Sequence, residues 1–363
     1  MVSIKDVAKH AGVAISTVSK VLNGYPNISE DTKRKVNQAI QELNYIPNSI
    51  ASALSSKQFG RIAFILDPKR QTQAIDQIFM QYLMGGLDKA KELGLEVVTI
   101  FTGMIGGMDA EELSRYLASQ SIVGIIFYGI SREDRVFHKL IRDRKFACVV
   151  IDAQPLVNER TTSVSIDQEQ AQYDVARKTV LDDKCRKVLY IAGRRDGYVT
   201  EHRIRGMKRL VEELGLSILV RQGDFSELAA RNITLKYAKN QDCIVCASDL
   251  MAIGAMNALI DMDIFRPVCG FDGITLMGYV GKQMNTVRQD FYAISSRAVE
   301  ELKKLLDGES GKTVILPHSI IKLYYQDMDP AHFLDPTLEN HYKGGDYHRI
   351  YVGEIVKALQ KID

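Results

Sequence analysis

The sequence predicts an N-terminal all-α helix-turn-helix head with a hinge helix, followed by an α/β core of two parallel-sheet subdomains. Three observations carry this. Short amphipathic helical stretches broken by Gly12 and by Asn23-Gly24 fill the first 45 or so residues. From Arg61 onward, continuous apolar runs alternate with amphipathic helical stretches, the pattern of parallel sheets buried on both faces. Charge is uneven: residues 1–60 hold seven Lys/Arg against four Asp/Glu, a net +3, while the other 303 carry −1.

In the head, Ser3 and Asp6 form a capping arrangement that opens a helix through Ile4, Val7, Ala8 and Ala11. Gly12 breaks it, and a second helix is expected from Ile15 to Leu22 with Val18, Val21 and Leu22 inward. Ser29 caps a third, 30–43, whose Val36, Ile40 and Leu43 share a face. Two short helices split by a Gly-containing turn can place the second in a major groove. Its outward residues would be Ile15, Ser16, Thr17, Ser19 and Lys20. Hydroxyls and an ammonium can bond phosphates or base edges, and Ile15 could touch a thymine methyl. A basic head also suits phosphate contact. After Pro47-Asn48 comes SIASALSS, too short to be helical unless held by a partner. Leu54 there would be an apolar wedge for a minor groove.

In the core, RIAFILD, LEVVTIF, IVGIIFY and FACVVID alternate with helices near 74–93, 109–120 and 133–144. A second series follows: RKVLYIAG, helix 201–214, SILVRQ, helix 226–238, DCIVCAS, helix 248–262 and PVCGFD. Two series imply two similar subdomains with a cleft between them. Ligands in such sheets sit beyond the strands' carboxyl ends, which makes Asp67, Asp152, Asp249 and Asp272 candidates, with Arg203 and Phe225 nearby. Carboxylates and an arginine around an aromatic plate suit a polyhydroxylated ligand. Asp249 is equally a helix cap.

Composition narrows the classes. No run of uncharged apolar residues is long enough to cross a membrane, and the charged N-terminus lacks a signal peptide's apolar stretch, so a cytoplasmic protein is expected. Five scattered cysteines do not form a disulfide framework, and Cys243-x-x-Cys246 lies in an apolar strand-like run, which reads as buried thiols. GESGKT at 308–313 has Leu306 where a phosphate loop needs glycine and precedes a strand, so it reads as a turn. No nucleophile–base or zinc motif occurs. No enzyme, cofactor or metal is expected.

The stretch SIKDVAKHAGVAISTVSKVLNG…ISEDTKRKVNQAIQELNYIPNSIASAL resembles the signature of the LacI/GalR family of bacterial transcription regulators, over residues 3–54 closely and more loosely to about residue 323. The resemblance implies a core similar to periplasmic sugar-binding proteins. It implies that Ile15, Ser16 and Lys20 read bases and that Leu54 intercalates, within a DNA-contacting set of Ser3, Ile15, Ser16, Thr17, Ser19, Lys20, Asn23, Asn48, Ala51 and Leu54. Ala14 departs from the usual Ser or Thr, which removes a cap worth about 1 kcal/mol. For the effector the implied set is Arg203, Phe225, Ser248 and Asp272, with Phe79 on a looser match beside DPKRQTQAIDQ; Asp152 joins them from its place at a strand end.

The expected organisation is a helix-turn-helix domain at 1–46, hinge helix and linker at 47–59, core at 60–325 and an extension at 326–363 with a helix over 350–362. Within the core, the first subdomain takes about 60–157 and 290–320, the second about 158–289 and 321–325. The expected function is a homodimeric repressor on a pseudo-palindromic DNA operator, controlled by a carbohydrate-like effector in the cleft, with no membrane partner. The alternatives are control by a protein corepressor and, remotely, a solute-binding protein.

Overall fold

The computed structural model describes residues 4–22, 28–43, 61–67, 73–274, 284–327 and 349–352. The chain separates into two compact units, one of Met1–Arg61 with Leu117–Val123 and one of Ile62–Tyr116 with Gly124–Asp363. Ser3, Asn23, Asn48, Ala51 and Leu54, and with them the expected hinge helix, lie outside the described residues.

Among the described residues the head has α1 (Ile4–Ala11), α2 (Ile15–Leu22) and α3 (Glu30–Glu42). Val7, Ala8, Val18, Val36 and Ala39 are buried at their centre, with Val21, Leu22, Ile40 and Leu43 packed around them. Gly12 adopts φ +66°, the left-handed conformation that lets the chain turn between α1 and α2. The side chain of Ser29 accepts from the Thr32 amide at 3.3 Å and so caps α3. The amides of Thr17 and Val18 point to the carbonyl of Ala14, whose methyl supplies no cap.

The core elements are β1 (Arg61–Leu66), α4 (Gln73–Glu92), β2 (Val97–Phe101), α5 (Ala110–Ser119), β3 (Ile122–Tyr128), α6 (Arg135–Arg142), β4 (Ala147–Ile151), β5 (Thr161–Ile166), α7 (Gln168–Asp182), β6 (Lys187–Ala192), α8 (Tyr198–Leu214), β7 (Ser217–Gln222), α9 (Glu227–Tyr237), β8 (Cys243–Cys246), α10 (Asp249–Asp261), β9 (Val268–Cys269), β10 (Met284–Arg288), α11 (Phe291–Leu306), β11 (Thr313–Leu316), β12 (Ser319–Asp327) and β13 (Arg349–Val352). They form two sheets, in the orders β11-β5-β4-β3-β1-β2 and β13-β12-β10-β9-β8-β6-β7. Pairings are parallel except those of β12, which runs antiparallel to both β10 and β13. Strand order reverses between β1 and β3 in one sheet and between β6 and β8 in the other. Such reversals open the crevice where ligands bind.

Two expectations need correction, and two elements went unexpected. β5 lies in the first sheet between β4 and β11, so a subdomain boundary at 157/158 assigns Thr161–Ile166 to the wrong half. The segment TTSVSI is buried throughout although four of its six residues carry hydroxyls, so it shows no apolar run. Two of its hydroxyls bond inside: Thr162 Oγ1 accepts from the Lys312 amide at 3.2 Å, and Ser165 Oγ donates to Asp152. Helix α7 escapes a pattern reading for the same reason, since Gln168, Gln172 and Thr179 are buried on it. The helix expected from residue 350 is replaced at its start by β13, whose Tyr351 lies opposite Tyr325; alternating β-branched and aromatic residues favour that strand. Residues 353–363 lie outside the described set.

All five cysteines are buried free thiols. Burial pushes the Cys148 and Cys269 thiols up to about 12, away from reactivity. Among the described residues no cluster suits a metal ion, and no helix is long and apolar enough to cross a membrane. GESGKT is a turn between α11 and β11, with Gly308 at φ +100°.

Candidate functional site: a cleft between the two sheets and a recognition helix

On α2, Ile15, Ser16 and Lys20 are exposed, whereas Thr17 and Ser19 are half-buried. Ile15 is 43% exposed, an apolar side chain kept out of the head's small core. The basic residues of α3 are paired with acids on the same helix: Lys33 with Glu30, and Arg34 and Lys35 with Asp31. Exposed pairs of this kind contribute little stability.

In the core, a cavity of about 320 Å³ lies beyond the carboxyl ends of the strands. All six residues named for the effector line it: Phe79, Asp152, Arg203, Phe225, Ser248 and Asp272. Asp67 does not. It lies at a separate opening, where its carboxylate accepts from Thr102 Oγ1 at 2.7 Å.

Asp152 follows β4 at φ +58°. Its Oδ1 accepts from Ser165 Oγ at 2.5 Å and from Gln168 Nε2 at 2.9 Å. Burial raises its pKa, opposed by Ser165 and Arg203. Arg203, on α8, is buried and stacks 3.6 Å from the centre of the Phe271 ring. Its Nε donates to Gln168 Oε1 at 2.9 Å, and Nη1 donates to the Ala247 carbonyl. Burial lowers its pKa from the ordinary guanidinium value, and the Asp272 and Asp152 carboxylates counter that.

Phe225 follows β7 at φ +56°, directly after Asp224 at φ +53°. Its ring lies over Gly193, where a Cβ would stand 2.0 Å from the ring edge, so only glycine lets the ring seat there. Ser248 caps α10, accepting from the Met251 amide at 3.3 Å. The cap is therefore Ser248, not Asp249. Asp249 is fully buried and accepts from Thr286 Oγ1 at 2.6 Å and from the amides of Gly273 and Ile274 at 2.8 and 2.9 Å. It anchors the segment that carries Asp272 and does not reach the cavity.

Asp272 sits at φ +131°, a conformation that L-residues other than glycine rarely hold. Its Oδ1 accepts from Gln289 Nε2 at 3.0 Å. Burial pushes its carboxyl up to about 8, beyond what Arg203 can offset. Raised in this way, the carboxyl keeps its proton to higher pH than an ordinary one, and when protonated it can donate as well as accept.

Sequence reasoning missed most of the apolar wall: Ile78, Tyr82, Tyr128, Tyr198 and Phe291. Tyr82 lies one turn after Phe79, and Tyr128 ends β3, so the rule of looking past strand ends could have found it. Tyr82 packs on both Tyr128, at 4.9 Å between ring centres, and Phe291, at 5.2 Å. The mouth of the cavity is bridged by backbone: the Arg132 amide donates to the Asp196 carbonyl at 2.9 Å, and Ser131 pairs with Gly197.

Residues 3–48 match the family model for bacterial regulatory proteins of the lacI family, and residues 177–322 match a periplasmic binding protein-like domain. Catabolite control protein A of Priestia megaterium is 28% identical over 333 residues, 88% of this chain and 97% of that protein. The HTH-type transcriptional repressor PurR of Vibrio vulnificus (strain CMCP6) is 27% identical over 329 residues, 88% and 96% of the two chains. The Lac repressor dimer bound to operator and the anti-inducer ONPF shares the fold with a TM-score of 0.74 at 24% identity, covering 88% of this chain and 97% of that one. The transcriptional regulator CelR in complex with cellobiose shares it at 0.62 and 23%, covering 88% and 98%. With the head matched to one model, part of the core to the other and relatives aligned along nearly their whole length, the chain is similar throughout to lacI-family bacterial regulatory proteins.

Proposed function

We propose that this regulator is a repressor whose operator affinity is set by a small carbohydrate-like effector in the core cleft. The observation that carries the reading is the cleft: acids, an arginine and a hydroxyl converge on one cavity walled by aromatic rings. Rings stack on the apolar faces of a sugar, and the polar groups take its hydroxyls in pairs. The α2 residues Ile15, Ser16, Thr17, Ser19 and Lys20, together with Ser3 and Asn23, would contact a major groove and its phosphates, while Asn48, Ala51 and Leu54 would engage the minor groove.

A homodimer on a pseudo-palindrome is part of the proposal. Met80, Met84 and Leu87 form an exposed apolar stripe at i, i+4, i+7 on α4, and Leu228, Ile260 and Phe265 are exposed further along the chain. Stripes of this kind mark protein interfaces. The Lac repressor that shares this fold is a dimer when bound to operator and anti-inducer.

Selection of duplexes bound by the full chain from a random pool tests the first half. Two related half-sites are expected, and unrelated sequences would refute the reading. Adding sugars to the selected complex tests the second half through fluorescence anisotropy. At least one sugar should shift the operator Kd by about tenfold, within the usual range of coupling. A shift only on adding a phosphorylated carrier protein would transfer control to a protein corepressor.

A further inference from the structure

Gln168 does not line this cavity, yet it bonds two of the groups that the effector reading relies on, Asp152 and Arg203. It is the first residue of α7, immediately after the chain leaves β5, and only 2% exposed. Its Nε2 donates to Asp152, which ends a strand of the first sheet. Its Oε1 accepts from Arg203, whose helix follows a strand of the second sheet. Gln289, the partner of Asp272, stands 3.5 Å from the same Nε2.

The orientation of the amide is fixed by chemistry. A guanidinium can only donate, so the oxygen of Gln168 must face Arg203 and its nitrogen must face Asp152. Reversing it would set donor against donor and acceptor against acceptor. Glutamate would keep the acceptor and lose the donor; leucine would keep neither.

We propose that Gln168 is the positioning residue that holds Asp152 and Arg203 in register across the cleft and so sets which pattern of hydroxyls the cavity accepts. The inference rests on the effector reading for its purpose, but the geometric coupling stands or falls separately. Asp152 has three fixed neighbours of consequence, Ser165, Gln168 and Arg203, with His202 acting more weakly from α8. Removing the amide donor leaves its carboxylate less stabilised, and removing the amide oxygen leaves Arg203 Nε without its acceptor.

The test uses the full chain labelled with carboxyl carbon-13 aspartate and nitrogen-15 arginine, with Asp152→Asn and Arg203→Met to assign the signals. In Gln168→Leu the Asp152 titration should move upward by about half a pH unit or more, and the Arg203 Nε–H signal should lose protection from exchange. In Gln168→Glu the Asp152 titration should also move upward, while the Arg203 signal stays protected. This split separates positioning from a loss of packing, and Gln168→Glu carries the test alone if the leucine variant does not fold. An unmoved Asp152 titration in the folded variants would overturn the proposal. Failure of every sugar to bind the wild type would instead remove the effector reading and leave this result standing.

Discussion

The two walls of the cleft are built on different chemistry. Helix α4, β3 and α11 of the first half present Phe79, Tyr82, Tyr128 and Phe291, with Asp152 as the one acid. From the second half come Arg203, Ser248 and Asp272, with Phe225 as a plate. One wall therefore grips apolar surface through stacking. The other reads polar groups through hydrogen bonds whose donors and acceptors are already fixed in place. Each wall alone would bind weakly, because stacking lacks direction and hydrogen bonds exchanged with water yield little net free energy. Closed together they exclude water and strengthen each other.

Breaking the polar wall should have the largest effect. Arg203→Met leaves the Gln168 oxygen and the Ala247 carbonyl without their donor and two acids without their cation. Stability should fall by about 3 kcal/mol in denaturant unfolding, and sugar binding should be lost with it. An unchanged midpoint would mean that the guanidinium is not fixed in this way.

Asp272 makes an intermediate test by way of pH. Its folded pKa, about 8, lies above the ordinary 3.8. Between those values the folded state holds a proton that the unfolded chain has released. The contribution is complete below the unfolded value and is lost as pH rises through about 8. Asp249, raised to about 6, adds to the same trend over a lower range. Thermal melting of the wild type should therefore decline from pH 5 to 9 more steeply than that of Asp272→Asn. Parallel curves for the two proteins would place the titrating group elsewhere.

The apolar wall should yield the smallest change. Tyr128 Oη and Ser295 Oγ share a buried hydrogen bond of 2.6 Å. Tyr128→Phe leaves the ring in place and the Ser295 hydroxyl unpaired, at a cost of about 1 kcal/mol. A variant as stable as the wild type would show that the ring alone holds the wall.

The contrast between the walls also explains what could be read from the sequence. The polar wall was legible because its residues follow strands or sit in motif-like runs: Asp152 after FACVVI, Asp272 in CGFDG, Ser248 in CASDL. Rings such as Tyr82 and Phe291 face the cleft only because α4 and α11 are turned that way by packing, and no local pattern separates a cleft-facing ring from a core ring. The helices of the head were legible from Gly12, Ser29 and the spacing of Val7, Val18 and Val36. β5 was not, because four of its six buried residues are hydroxylic, and Thr162 finds its partner 150 residues along the chain at Lys312. Gln168 was invisible for a related reason: its meaning lies in two side chains brought to it by separate sheets.

The most direct test of the account is a thermal-shift and calorimetric screen of the full chain against neutral sugars, sugar phosphates, uronic acids, nucleosides and purines. At a hundredfold excess over Kd, a ligand should add about 2.7 kcal/mol. The account predicts a hit among the sugars that is lost in Arg203→Met and weakened in a Phe225→Ala variant, with the same sugar shifting operator affinity. A ligand that binds equally well to both variants, or a panel without a single hit, would contradict the assignment of this cleft as the control site.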